Sequence, residues 1–424
     1  MPGRAEDDER FMAAAIRLCR RNLGLTSTNP SVACLIVRDG VIVGSAVTAP
    51  GGRPHAETQA LAEAGEAARG ATAYVTLEPC SHHGKTPPCA DALIASGVAR
   101  VVVSVTDPDE RVAGRGLSML RDAGIAVETG VLESEGRAAL AAYLMRQTRK
   151  RPHVTLKLAV SSDGMLGRLG AGQVAITGPV ARGQVHVLRA ETDAILVGIG
   201  TALADDPELT CRLPGLEARS PVRIVLDPRV ELPPASRLAR TARDVPVIVV
   251  AGKVDDASFP EGTERQTPVS PLAREMSAQP TEGGGAAYAS AGSKPMRSRS
   301  HPPLSPPLTS PQQGGREAFE ARAAALEALG VEVLICDPHR LDDLLVALAT
   351  RGISSLLAEG GARTARSFLD AGLVDRILLF NGAVPVGEGG IASPCVSGRM
   401  PEGFSLRRTA RYGADILEEY ERGD

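Results

Sequence analysis

The stretch AYVTLEPCSHHGKTPPCADALIASGVARVVVSV, residues 73–105, decides the fold. Ala73–Leu77 and Arg100–Val105 are short runs rich in β-branched residues and bounded by turn formers, the pattern of buried strands. Between them the run after Pro88, CADALIASG, spaces its apolar residues as a helix does. Strand and helix alternate, and the alternation continues outward on both sides. Upstream, residues 7–22 (DDERFMAAAIRLCRRN) have helical spacing, with Asp7 and Asp8 where a helix dipole favours acids. Val32 to Val47 reads as two strands around Asp39-Gly40, the strongest short hairpin signal in the chain. A helix is expected from His55 to about Ala68. Downstream, a helix over Leu117–Ala123 precedes a strand over Ile125–Thr129. Such alternation implies a sheet covered by helices on both faces, and the hairpin makes that sheet mixed.

With 424 residues the chain exceeds one average core, so two domains are expected. The basic, polar run RQTRKRPH, residues 146–153, marks the boundary and divides the chain into domains 1–148 and 149–424. Beyond it the pattern is again α/β, with strands at 154–160, 193–198, 222–226, 246–250, 331–335, 354–358 and 376–380. Residues 253–316 interrupt it, dominated by Pro, Ser, Gly and Thr. That composition buries too little apolar surface to offset its chain entropy, so a disordered surface insertion without a part in the chemistry is expected.

The 43% hydrophobic content suits globular folding. A net charge of −3 and a pI near 6.2 argue against a nucleic-acid polymer or an anionic membrane as partner. No apolar run approaches the roughly 18 residues of a membrane span, and MPGRAEDDER at the start lacks a signal-peptide core. Seven cysteines, an odd number, do not form a disulfide framework. Cys19, Cys34, Cys211, Cys336 and Cys395 read as free thiols of a reducing compartment, and a cytoplasmic protein is expected.

Cys80 and Cys89 stand apart because His55-Ala56-Glu57 accompanies them. Together these residues supply one imidazole, two thiols and a carboxylate not needed as a ligand. Three N/S ligands leave one tetrahedral position of a zinc ion open, as catalytic sites require. Zinc there activates a water at neutral pH, and Glu57 is placed to shuttle protons. Cys89 opens a helix after Pro88, where the helix dipole favours the thiolate. Alone, a His-x-Glu pair is an ordinary helix start and two cysteines are small buried residues. Joined, with Pro79-Cys80 directly after a strand, they form the His-x-Glu…Pro-Cys…Cys arrangement of zinc nucleobase deaminases.

Eight residues, SHHGKTPP, separate the cysteines, more than the usual two. Lys85, His82 and His83 among them suit a phosphate, and Gly84 permits a tight turn. NPSVACLIV, HAE, TLEPCSHHGKTPPCADALI and DPDERVAGRG resemble the deaminase domain of the bifunctional riboflavin-biosynthesis deaminase/reductases, over roughly residues 10–148. The resemblance implies a cytidine-deaminase-like three-layer fold and one zinc per chain on His55, Cys80 and Cys89. It also implies hydrolytic deamination at C2 of a small phosphorylated pyrimidine, a phosphoribosylated diaminopyrimidinone, with Glu57 relaying protons to the departing ammonia. Asn29, His82, Lys85 and Thr86 would bind that substrate. Asp109 stands where the family usually has asparagine.

In the second half, Gly198-Ile199-Gly200 lacks the third glycine of a dinucleotide fingerprint. A better phosphate candidate is Glu359–Thr364, EGGART, between the strand-like SSLLA and the helix ARSFLDAG. LKLAVSSDG, ITGPVARGQVHVLRA, DAILVGIGTALADDPELTCR, PVRIVLD and AEGGARTARSFLDAGLVD resemble the reductase domain of the same family, whose fold is similar to dihydrofolate reductase. The match spans about residues 152–252 and 318–392. It implies NADPH held by Ala159, Ala175, Thr201, Asp205 and the segment Gly361, Ala362, Arg363, Thr364, Ala365, Arg366 and Ser367. Arg189, Leu209, Arg212 and Glu359 would contact the substrate, whose ribosyl group is reduced to ribityl. Guanidinium forks at Arg189 and Arg212 match phosphate geometry. Met165 replaces a frequent lysine and Ala175 a frequent tryptophan, which leaves open an alternative: a zinc deaminase of this or another nucleobase joined to a weak or inactive reductase-like domain. A homo-oligomer also stays open.

Overall fold

The computed structural model describes residues 2–81, 87–109, 112–170, 172–252 and 311–423. Its first half runs α1 (Pro2–Cys19), β1 (Ala33–Arg38), β2 (Val41–Val47), α2 (Ala56–Ala64), β3 (Thr72–Leu77), α3 (Cys89–Ala95), β4 (Arg100–Val105), α4 (Arg115–Asp122), β5 (Ala126–Thr129), α5 (Glu133–Ala139) and α6 (Ala141–Arg149). The sheet order is β2-β1-β3-β4-β5, antiparallel through β3 and parallel beyond it. Asp39 and Gly40 both have positive φ, 51° and 77°, as the tight hairpin turn demands. Alternate strand residues pack on opposite faces. Cys34, Ile36, Val75 and Val103 meet α2, α3 and α4, while Leu35, Val37, Tyr74 and Val102 meet Phe11, Met12 and Ile16 of α1.

The second half runs β6 (His153–Val160), β7 (Met165–Arg168), α7 (Pro179–Ala190), β8 (Ala194–Gly198), α8 (Ile199–Asp205), β9 (Val222–Leu226), α9 (Arg237–Arg240) and β10 (Val247–Ala251). It continues with α10 (Pro311–Glu327), β11 (Glu332–Ile335), α11 (Leu341–Thr350), β12 (Ser355–Ala358), α12 (Ala362–Asp370), β13 (Arg376–Asn381), β14 (Gly390–Ala392), β15 (Phe404–Tyr412) and β16 (Asp415–Arg422). Nine strands form one sheet in the order β11-β10-β9-β8-β12-β6-β13-β16-β15, parallel from β11 to β13 and closed by an antiparallel hairpin. Apolar clusters cover both faces of the parallel part, as such sheets require.

Every strand expected from the sequence is present. The expectation of an unstructured 253–316 segment needs correction at its end: α10 already begins at Pro311, while 253–310 lie outside the described residues. The REAFEARAAALE run inside α10 explains this, being rich in strong helix formers.

Lys150, with φ 57°, ends α6 and turns the chain into β6, where Arg151 pairs with Asp375 through two bonds of 2.7 and 2.8 Å. The halves also touch away from this connection. Gly24 (φ 74°) lies so close to the end of α7 that a Cβ there would stand 3.1 Å from the Ala190 carbonyl oxygen. Arg219 donates to the Leu23 carbonyl at 2.8 Å, and Arg20 reaches Glu191 at 3.4 Å.

Candidate active sites

His55 is the N-cap of α2 and Cys89 the first residue of α3, so two helix starts face each other across the loop that carries Cys80. The ligand atoms of His55, Cys80 and Cys89 all lie within 4.8 Å of one another. His55 Nδ1 is 3.3 Å from Cys89 Sγ and 3.7 Å from Cys80 Sγ. One nitrogen and two sulfurs at this separation fit a tetrahedral zinc with one open position. The Cys89 backbone N–H also donates to Cys80 Sγ at 3.3 Å, which suits a thiolate. Hydrogen bonding from Cys89 and His55 holds the Cys80 thiol down to about 4 against the opposing effect of burial. Cys89 is pushed up by its bond to Cys80 and by burial.

Glu57 sits on the first turn of α2, almost completely buried, within hydrogen-bonding reach of Cys89. Burial, then the neighbouring Cys80 charge, pushes its carboxyl up to about 7. A buried carboxyl raised above its ordinary range beside these ligand groups is suited to take and return a proton. The Asn29 amide lies against Gly52, three residues before His55, so closely that a Cβ on Gly52 would stand 2.2 Å from Nδ2. That contact sets the Asn29 amide beside the segment that leads into His55. His82, Lys85 and Thr86 lie outside the described residues.

Two residues passed over in the sequence shape this site. Glu78, at the end of β3 and buried, accepts N–H groups from Gly114 (3.0 Å), Gly116 (3.1 Å), Asp107 (3.4 Å) and Leu117 (3.5 Å). It therefore caps α4 from another part of the chain, satisfying N–H groups the helix itself cannot. Gly116 is necessary at that contact, because a Cβ would fall 2.1 Å from the Pro79 carbonyl oxygen. The start of α4 is thereby clamped onto the Pro79-Cys80 segment. Asp107 follows β4, accepts from Tyr143 Oη at 3.1 Å, and is pushed up to about 6 by burial. Asp109 carries a turn, its carbonyl accepting the Val112 and Ala113 N–H groups.

The second site is a groove of about 1630 Å³ at the carboxyl ends of β6, β8, β9 and β12. Parallel sheets place ligands at this edge, where the strand order switches. Thr201, Asp205, Ala159 and Ala175 line it, as do Gly361, Ala362, Arg363, Thr364, Arg366 and Ser367 at the start of α12. Arg189, Arg212 and Glu359 line it too. Two expected residues do not. Leu209 (φ 57°) turns its side chain into the apolar core, and Ala365 is buried with its N–H bonded to the Gly361 carbonyl. Met165 is not among the lining residues; it packs on Gly390, whereas Ala175 faces the groove.

Arg189 and Glu359 form a two-pronged ion pair at 3.1 Å, and Arg189 also donates to the Thr210 carbonyl at 3.1 Å. Burial works against the Glu359 charge, but Arg189 and Lys157 hold its carboxyl below the usual range. Lys157, on β6, is a further groove residue. It lines the groove beside Ala159, two residues on along the same strand face, and burial lowers its ammonium against the opposing Glu359 charge. A lysine in the middle of an interior parallel strand was the available signal.

Comparison with known proteins finds a described family over each half. Residues 5–105 match the cytidine and deoxycytidylate deaminase zinc-binding region, and residues 152–273 and 316–417 match the RibD C-terminal domain. The riboflavin biosynthesis protein RibD of Aquifex aeolicus is 36% identical over 384 residues, covering 91% of this chain and 89% of its own. The chain belongs to the RibD family. RibD of Escherichia coli is 48% identical over 244 residues, 55% of this chain and 66% of that one. Among solved structures, RibD of Acinetobacter baumannii covers 99% of this chain and 100% of its own with a TM-score of 0.74 at 30% identity. A Thermotoga maritima diaminohydroxyphosphoribosylaminopyrimidine deaminase/5-amino-6-(5-phosphoribosylamino)uracil reductase gives the same coverage, TM-score and identity. Like RibD, this chain is a bifunctional deaminase and reductase of riboflavin biosynthesis, with a zinc-binding deaminase domain and a reductase domain. The reductase domain implies a nucleotide cofactor, and no described helix is long and apolar enough to cross a membrane.

Proposed function

We propose that residues 1–148 deaminate 2,5-diamino-6-(5-phosphoribosylamino)pyrimidin-4(3H)-one and residues 149–424 then reduce its ribosyl group with NADPH. The observation that carries the reading is the convergence of His55, Cys80 and Cys89 beside buried Glu57. Zinc held by those three residues supplies a Lewis acid that activates water for attack at the amino-bearing carbon. Glu57 takes the proton from the attacking water and passes it to the departing amine, for which a carboxyl near 7 is suited. Asn29 orients the pyrimidine from the Gly52 side. His82, Lys85 and Thr86 are assigned to the substrate on resemblance alone.

In the second domain NADPH supplies hydride. The N–H groups at the start of α12, with Arg363 and Arg366, receive its phosphates, and Thr201 and Asp205 hold the neighbouring part. Arg189 and Arg212 receive the substrate phosphate, and Lys157 offers the proton that must join the sugar oxygen when hydride reaches its carbon. The charge of −3 leaves no nucleic-acid partner in this reading, and seven cysteines outside any disulfide suit a cytoplasmic location.

The test is to supply the phosphoribosylated diaminopyrimidinone with and without NADPH and follow the product by mass. A gain of about one mass unit without NADPH is expected for hydrolytic deamination. With it, about two further units are expected for hydride and proton. A gain that stops at the first step would favour the weak-reductase alternative suggested by Ala175, and no gain at all would reject the substrate.

A further inference from the structure

We propose that Arg219, in the reductase half, is a positioning residue for the deamination reaction: with Arg146 it holds the Leu23–Asn29 loop, and so the Asn29 amide, beside the zinc-ligand segment. The inference rests on the reading that Asn29 binds the deamination substrate.

The loop has internal bonds that give it shape. Asn29 N–H donates to the Thr26 carbonyl at 3.1 Å, and Thr26 Oγ1 donates to the Asn29 carbonyl at 2.8 Å. These close a turn but do not fix where the turn sits. Placement comes from three tethers. The Gly51 N–H donates to the Leu25 carbonyl at 2.8 Å, Arg146 Nη2 to the Thr28 carbonyl at 2.7 Å, and Arg219 Nη2 to the Leu23 carbonyl at 2.8 Å. Only the first lies within the body of the deaminase sheet and its helices. Arg146 stands on α6, next to the connection between halves, where Asp193 of the second half attracts it. Arg219 belongs wholly to the second half.

Both arginines are part-buried cations that bond neutral carbonyls, and each keeps a buried Nε with no acceptor among the described residues. A desolvated guanidinium satisfied so incompletely adds little to stability, so its replacement is expected to leave the fold standing. Its effect falls on the carbonyl it directs. Arg219 also ends the segment that begins with groove residue Arg212, closed by the Cys211 N–H bond to Ser220 Oγ at 3.1 Å. Gly24, inside the tethered loop, abuts the end of α7, the helix that carries Arg189. The deaminase loop thus rests on the outer side of elements whose inner side lines the reductase groove.

The test measures both activities of the full-length protein in Arg219→Met, with Arg219→Lys as the conservative variant. For Arg219→Met, KM for deamination is expected to rise about fivefold, the loss of one hydrogen bond from a charged donor. Its kcat, zinc content and both reductase constants are expected to stay within about twofold. Arg219→Lys, which keeps a charged donor, should recover most of the loss. An unchanged deamination KM in Arg219→Met overturns the proposal, as does a fall in kcat that tracks lost zinc. If Arg219→Met does not fold, Arg146→Met carries the same expectation through the Thr28 carbonyl. Asn29→Ala, run in parallel, separates the two readings. An unchanged KM there removes Asn29 from the substrate site, whereas a raised KM there with a normal Arg219→Met removes the positioning role alone.

Discussion

Replacing Glu78 by glutamine tests whether the cap on α4 holds the second zinc ligand. The carboxylate accepts two short bonds, from Gly114 at 3.0 Å and Gly116 at 3.1 Å, and two longer ones from Asp107 and Leu117. A glutamine oxygen can retain the Gly116 side, but its NH2 then faces the Gly114 and Asp107 N–H groups, donor against donor. The loss is one charge-assisted bond plus a buried unsatisfied pair, about 2–3 kcal/mol. For a domain of this size that corresponds to about 6–10 °C in the midpoint of the deaminase transition. Because Gly116 lies against the Pro79 carbonyl, a loosened α4 also frees Cys80, and zinc affinity should fall about tenfold or more. Calorimetry, zinc competition with a chelating indicator and both turnover assays read the three effects, with reduction as the internal control. A lowered midpoint with unchanged zinc affinity would refute the coupling between cap and ligand. An unchanged midpoint would refute the cap itself.

Three further outcomes are expected. Glu57→Gln should keep one equivalent of zinc and full reduction while deamination falls by about 10²–10⁴; metal analysis beside turnover checks it, and normal deamination would remove Glu57 from the chemistry. Lys157→Met should lower the reductase kcat by about a hundredfold without changing NADPH titration or deamination; an intact kcat would return the proton step to water. Burial pushes His153 down from 6.5 to about 4, so the folded state disfavours its proton. Its contribution to stability is complete above about 6.5 and is lost as the pH falls through about 4. His153→Gln should therefore flatten the fall of the urea midpoint across that window, and an unaltered acid limb would contradict the assignment.

The parallel core of both halves was legible because its strands are short runs rich in β-branched and other apolar residues, such as RVVVSV, and because turn residues bound them. The C-terminal hairpin was not. β15, FSLRRTARY, is an edge strand exposed along most of its length, so it has no apolar alternation to display. Cross-strand ion pairs take its place, Arg407 with Glu421 and Arg408 with Glu419. The zinc cluster was legible because metal ligands must be particular residue types at particular places. Glu78 was harder to find, since its partners are backbone N–H groups twenty-nine to thirty-nine residues away and leave no mark in composition. Leu209 and Ala365 show that sequence position alone does not say where a side chain points. They neighbour groove residues in sequence, but a strained turn at one and helical periodicity at the other send both side chains inward.

The contact between Gly24 and the end of α7 bears on how this chain can be divided. A deaminase half expressed alone would present the Leu23 carbonyl and a bare glycine to water where the Ala190–Thr192 backbone now lies. Cutting at the Lys150 turn therefore removes more than a tether: it strips one wall from a loop of the other half. Two separately made halves should need to re-dock along that seam to recover the substrate affinity of the whole, and an engineered stand-alone deaminase would need a new surface packed against residues 23–29.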